Sequence, residues 1–311
     1  MALTFDPTSL SKYGHLTLVA RTLVEGFLTG VHKSPYKGFS VEFAEHRQYY
    51  PGDEIRHIDW RAVAKTDRYY IKEYEEETNL KAHLIVDASG SMAYRSKSGP
   101  PAPNARAKEL LPRSLSKFQY AQYIAASLAY LMLAQRDAVG LILHDTEVRQ
   151  EIKPRATSKH LLQLLRALER ATPGQETALA PVWHQVAGQV KKRGLIVLLS
   201  DCFDKAADLL RAMQHLRHRR HEVILFHVLA PEEMEFPFKR WTQFRNLENT
   251  GHRLLVDPQR LRKEYLENFQ RFCAELREAC GKTQVDYHLL STDEPIERAL
   301  GIYLSRRQRQ R

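Results

Sequence analysis

Three oxygen-bearing side chains crowd into five residues at Asp87-Ala88-Ser89-Gly90-Ser91. An acid and two hydroxyls at alternate positions suit a hard divalent cation, because magnesium, calcium and manganese prefer oxygen ligands. The run His83-Leu84-Ile85-Val86 before them reads as a buried strand leaving its sheet. The acid and hydroxyls then sit on the loop at the strand's carboxyl end, where ligands of open α/β sheets collect. Gly194-Leu195-Ile196-Val197-Leu198-Leu199 makes another such strand, running into Ser200-Asp201. Between them, Thr172-Pro173-Gly174-Gln175-Glu176-Thr177 is a loop that ends in a further hydroxyl. The candidate metal set is therefore Asp87, Ser89, Ser91, Thr177 and Asp201, drawn from three loops. The plainer reading is a metal loop that only stabilises the sheet edge.

Other metal-like patterns are weaker. His215, His218 and His221 cluster at a helix end, but their neighbours are arginines, which oppose cation binding. Cys202, Cys273 and Cys280 form no C-x-x-C pair and are odd in number, so neither a disulfide framework nor a zinc site is expected. Cys273 and Cys280 read as half-buried packing residues. Cys202, beside Asp201, is expected to be accessible, without a neighbour that marks it as a nucleophile.

The elements that must hold the loops follow from periodicity. Leu16, Val19, Leu23, Phe27 and Val31 give an amphipathic helix. Phe39, Val41 and Phe43 alternate as in a half-buried strand, Pro51-Gly52-Asp53 turns, and Ile55, Ile58, Trp60 and Tyr69–Tyr74 complete a small strand-rich lobe. Residues 93–116 hold Pro100-Pro101-Ala102-Pro103 and many cations, and read as a long, mobile, basic insertion. Helices are expected over 117–136, 158–171, 178–190, 205–219, 258–280 and 294–305. Further strands are expected over 138–143, 147–152, 222–229 and 285–290, with loop and a short strand over 241–257. Buried strands alternating with helices predict an α/β fold, a doubly wound, mostly parallel sheet flanked by helices. The organisation predicted is a helix and strand-rich lobe over 1–79, the α/β domain over 80–305, and a basic tail over 306–311.

Composition sets outer bounds. The 311 residues carry 47 Lys plus Arg against 37 Asp plus Glu, a net +10, which favours acidic partners: nucleic acid, anionic lipid or an acidic protein surface. No signal peptide or membrane-spanning stretch is read, so a cytoplasmic location is expected, with peripheral membrane attachment open.

The metal set resembles the metal-ion-dependent adhesion site of von Willebrand factor A domains: D-x-S-x-S at Asp87–Ser91, Thr177 in G-x-x-T, and Asp201 in S-D. The resemblance implies that Ser89, Ser91 and often Thr177 bind Mg²⁺ directly, with Mn²⁺ or Ca²⁺ as alternatives, while Asp87 and Asp201 act mainly through waters. It also implies an open coordination position that favours a partner's carboxylate. Upstream, His46-Arg47-Gln48-Tyr49-Tyr50-Pro51-Gly52-Asp53, then Arg56-His57-Ile58-Asp59-Trp60-Arg61, resembles the signature of uncharacterised-domain family fifty-eight, which joins this segment to a von Willebrand A-like domain. Its members are typically encoded beside MoxR-type AAA+ ATPases. The resemblance implies a non-enzymatic, metal-dependent adaptor for such an ATPase and an acidic-residue-presenting client. The insertion at 93–116 departs from the family's short link.

Two other classes compete. A Mg²⁺-dependent phosphoryl hydrolase of the haloacid-dehalogenase kind would want a second Asp where Ser89 stands. No G-x-S-x-G elbow or P-loop occurs. A nucleic-acid binder rests on the net charge, the basic insertion and the Arg306–Arg311 tail, with no recognition motif behind it.

Overall fold

The computed structural model describes residues 15–31, 46–48, 70–72 and 80–308, apart from 103, 175, 249 and 250. The chain divides into two compact units, Met1–Lys33 with Leu80–Arg311, and Ser34–Asn79. In the smaller unit, β1 (His46–Gln48) pairs antiparallel with β2 (Tyr70–Lys72). The expected strand at 39–43, the turn at 51–53 and the segment 55–61 lie outside the described residues.

The larger unit is built on a six-stranded sheet of β3 (Lys81–Asp87), β4 (Ala138–His144), β5 (Val148–Arg155), β6 (Leu195–Ser200), β7 (Glu222–Leu229) and β10 (Asp286–Ser291). The spatial order is β10-β7-β6-β3-β4-β5, and every pair is parallel except β4 with the edge strand β5. The central strands are apolar on both faces because helices cover both. Leu84, Val86, Leu141 and Val197 face one core, with α1 (His15–Val31), α3 (Lys117–Ala134), α4 (Ser158–Arg170) and α9 (Glu297–Gln308). Ile85, Ile142, Ile196 and Leu198 face the other, with α5 (Leu179–Gln189), α6 (Ala206–His218) and α8 (Pro258–Lys282). The doubly wound sheet expected from the strand pattern is the one observed. α3 is buried nearly all round, and starts at a capping box of Ser116 and Gln119.

Three segments differ from expectation. The insertion carries a short helix, α2 (Ala105–Leu110), capped by Asn104, with Ala107 and Leu115 buried. It is laid on the body: Arg95 bridges to Ser116, and the Lys97 N–H donates to Glu232 at 2.9 Å, on the five-residue helix α7 (Pro231–Glu235). The region 241–257 is a hairpin of β8 (Thr242–Arg245) and β9 (Arg253–Val256). Arg306 and Arg307, expected in a tail, lie in α9 because Asp286 and Asp137 hold their guanidinium groups.

Gly140 marks a close approach between β4 and β5. A Cβ there would meet the Ile152 carbonyl oxygen at 2.7 Å and the Pro154 ring at 2.9 Å, where the β4–β5 register shifts. Backbone cannot yield as a side-chain tip can. Gly140→Ala is expected to lower stability by about 1–3 kcal/mol. A lower urea midpoint with unchanged slope would show it; an unmoved midpoint would mean that β5 gives way freely.

Candidate metal centre

β3 and β6 are neighbours at the point where the sheet's order reverses: from β3 the chain winds out through β4 and β5, from β6 through β7 and β10. Adjacent crossovers on opposite faces open a crevice there, at the carboxyl ends of the strands. Asp87 ends β3, Ser200 ends β6, and Asp201 follows it on the loop.

Asp87 is fully buried with both oxygens engaged. Oδ1 accepts the Ser89 N–H at 2.9 Å, and Oδ2 accepts the Ser200 hydroxyl at 2.6 Å. The Ser89 and Ser91 hydroxyls lie 3.2 Å apart, brought together by the 3₁₀ turn Gly90–Ala93. Asp201 accepts the Phe203 N–H at 3.2 Å and interacts with the Ser91 hydroxyl. The turn after it is forced: Cys202 adopts φ 55°, in the left-handed region that L residues avoid. This lets the Cys202 N–H reach Ser200 Oγ at 2.9 Å. Cys202 is buried rather than accessible, and burial pushes its thiol well above the ordinary range.

Four of the five candidates thus meet in one place. The loop carrying Thr177 is tied to the first by the Gly174 N–H, which donates to the Ala88 carbonyl at 2.6 Å. Thr177 itself donates to the carboxylate of Glu248, in the β8–β9 connection. Burial, then the charges of Asp201 and Glu176, raise the Glu248 carboxyl, against the Thr177 hydrogen bond. Thr177 is thereby held by Glu248, and the Asp201 charge is felt at that pair.

Sequence reasoning missed three partners. Ser200 lies beside the acid of the S-D pair, and its hydroxyl holds Asp87. Lys117 and Glu233 gave no signal. The Lys117 ammonium lies 2.7 Å from Asp201 Oδ2 and 2.7 Å from Glu233 Oε1, with its side chain 2% exposed. Burial disfavours its charge, but the two carboxylates outweigh that and raise its pKa. Burial likewise works against the Asp201 carboxylate, and Lys117 prevails and lowers it. Asp87 has no such counterion. Burial and the nearby Asp201 charge push it up to about 7, against the hydrogen bonds from Ser200 and Ser89.

The donor set fits a hard cation. Asp201 and Glu233 share the one ammonium while Asp87 has none, and a divalent ion between Asp87 and Asp201 would offset the burial and the repulsion that together raise Asp87. With both oxygens already hydrogen-bonded, Asp87 suits a role through intervening water. Among the described residues no group of three or more His, Cys, Asp or Glu is arranged around a metal position, so the set depends on its hydroxyls. His221 of the basic cluster turns inward to the Val190 carbonyl at 3.0 Å, while His215 faces His184. Beside Asp201 and Lys117 a 470 Å³ cavity opens, walled by Phe203, Tyr265, Phe269 and Phe272.

The doubly wound sheet, parallel but for its β5 edge and flanked by helices on both faces, is a von Willebrand factor A-like fold. The chain belongs to the family described as "Protein of unknown function DUF58", whose model matches residues 45–274. Uncharacterized proteins of Mycobacterium tuberculosis (Rv1480) and Mycobacterium bovis (Mb1516) are each 24% identical over 235 residues, 75% of this chain and 68% of theirs. Among solved structures, BatB from Bacteroides thetaiotaomicron aligns with TM-score 0.48 and 14% identity over 73% of this chain and 98% of its own. An aerotolerance-related membrane protein from Bacteroides fragilis aligns with TM-score 0.48 and 17% identity, over 72% and 97%. Among the described residues no helix is long and apolar enough to cross a membrane.

Proposed function

We propose that this chain is a non-enzymatic protein-binding module that grips a partner's Asp or Glu through a divalent cation held by Asp87, Ser89, Ser91, Thr177 and Asp201. The observation that carries this reading is the convergence of two carboxylates and two hydroxyls at the β3–β6 reversal, with negative charge in excess of its counterion. Mg²⁺, when bound, supplies a Lewis-acidic anchor for a carboxylate. The chain's own residues set its strength: neutral Ser89 and Ser91 leave the ion electrophilic, and Lys117 tempers the acids around it. The adjoining aromatic cavity has room for an apolar side chain next to the captured acid. Family resemblance supports a MoxR-type AAA+ ATPase as the partner enzyme, and a client complex as what the pair remodels.

The test is co-purification of the intact protein from its native cell, with magnesium and with chelator. The double variant Ser89→Ala/Ser91→Ala is expected to lose chelator-sensitive partners and Mn²⁺ binding, followed by water-proton relaxation, while unfolding at an unchanged temperature. Equal capture by variant and wild type would remove the metal from the mechanism.

A further inference from the structure

Five of the six exposed large hydrophobic residues among those described lie between Trp241 and Leu261, on the β8–β9 hairpin and the start of α8. Single exposed apolar residues are ordinary, but a cluster marks an interaction surface. The hairpin also has an open edge. β8 and β9 pair only with each other, so the far side of β9 presents backbone N–H and C=O groups with no strand partner among the described residues. Leu254 and Leu255 point to opposite faces of β9, yet are 60% and 61% exposed. Leu254 stands beside Phe244, which stacks on Phe236 at 5.8 Å and anchors the hairpin to the body. Leu255 stands beside Gln243 on the outer face, where Arg245 and Arg253 oppose each other in register. Neither arginine has a carboxylate partner among the described residues. Like charges directly across a strand pair are unfavourable unless a third group answers them.

We infer that the free edge of β9 is a docking site for an extended, acidic segment of a partner protein, which adds as a third strand to the hairpin. Main-chain hydrogen bonds give such a mode its affinity, and flanking side chains its selection. Here Leu254 and Leu255 offer apolar contact on either face of the added strand, and Arg245 and Arg253 select for acids. A second copy of this chain fits less well, because it would bring more arginines to the same edge and carries the same +10. A lipid surface fits less well, because it would leave the row of backbone groups unpaired in an apolar medium. The inference does not need the metal. If both readings hold, one partner segment spans both sites, since Glu248 fastens the hairpin's connection to Thr177.

The test uses the full chain, in chelator, with a fluorescein-labelled peptide of alternating Val and Glu. Controls are the same peptide with Lys for Glu, and with Pro at its centre. The Glu peptide is expected to bind and the other two at least about tenfold more weakly. Arg245→Glu/Arg253→Glu should reverse the charge preference, and the milder Arg245→Gln/Arg253→Gln should erase it. The backbone amides of Arg253 and Leu255, which alternate with the two that face β8, should exchange quickly in the free chain and slowly with the Glu peptide. Equal binding of the Pro peptide, an unchanged preference in both arginine variants, or binding that appears only with Mg²⁺ would overturn the inference. So would Arg253 and Leu255 amides protected without peptide, which would mean that another part of this chain or a second copy already covers the edge. Persistence in chelator separates this site from the metal-dependent capture proposed above.

Discussion

Lys117→Met is expected to lower the stability of the larger unit by about 3–5 kcal/mol in chelator, the cost of breaking a buried ion pair from one side. The side chain is almost fully enclosed, and its ammonium is shared by Asp201 and Glu233 at 2.7 Å each. Methionine fills much of the same volume, so packing changes little. What remains is two carboxylates without a counterion, with Asp87 close behind. Added Mg²⁺ should recover more stability in the variant than in wild type, because removing one positive charge strengthens cation binding at the same acids. Urea midpoints with and without magnesium measure both effects. A variant within 1 kcal/mol of wild type in chelator would show that the acids find other relief, roughly the worth of an exposed pair.

The second large effect is acid sensitivity through His83. This β3 residue is held neutral by burial first, then by the neighbouring His221 and Lys81, which lower its pKa to about 4. Its Nδ1 has no hydrogen-bond partner among the described residues. In the unfolded chain the imidazole takes its proton near 6.5. Between those values the unfolded state carries a proton that the folded state refuses. Stability therefore falls as pH drops from 6.5 to 4, by about 3 kcal/mol in all, and levels off below. His83→Gln should reduce the slope of stability against pH in that window by about 1.4 kcal/mol per unit. Equal slopes would mean that His83 protonates in place.

The sheet was legible because its signal is local. Ala138–Leu143, Leu195–Leu199 and Val223–Leu229 are apolar runs of strand length, and each forms a buried strand. The hairpin was only half seen, because β8 and β9 are four residues each and β9 keeps neither face buried. α2 follows a proline-rich stretch and is six residues long, too short for a helical period to show. In the centre, Asp87, Ser89, Ser91 and Asp201 were found because each ends a strand or sits in the turn after it. Lys117 lies 84 residues from Asp201 and 116 from Glu233, so no local pattern joins them. A cation in the first turn of a helix even opposes the helix dipole, and only the two carboxylates make it favourable there. Glu248 is likewise 71 residues from Thr177.

The helix α7 holds two neighbouring glutamates with different loads. Glu232 accepts the Lys97 N–H from the insertion, and Glu233 holds the Lys117 ammonium at the centre. The basic insertion and the buried ammonium beside Asp201 are thus braced by adjacent residues of one short helix, so the insertion is part of the scaffold that sets the charge at the sheet's carboxyl edge.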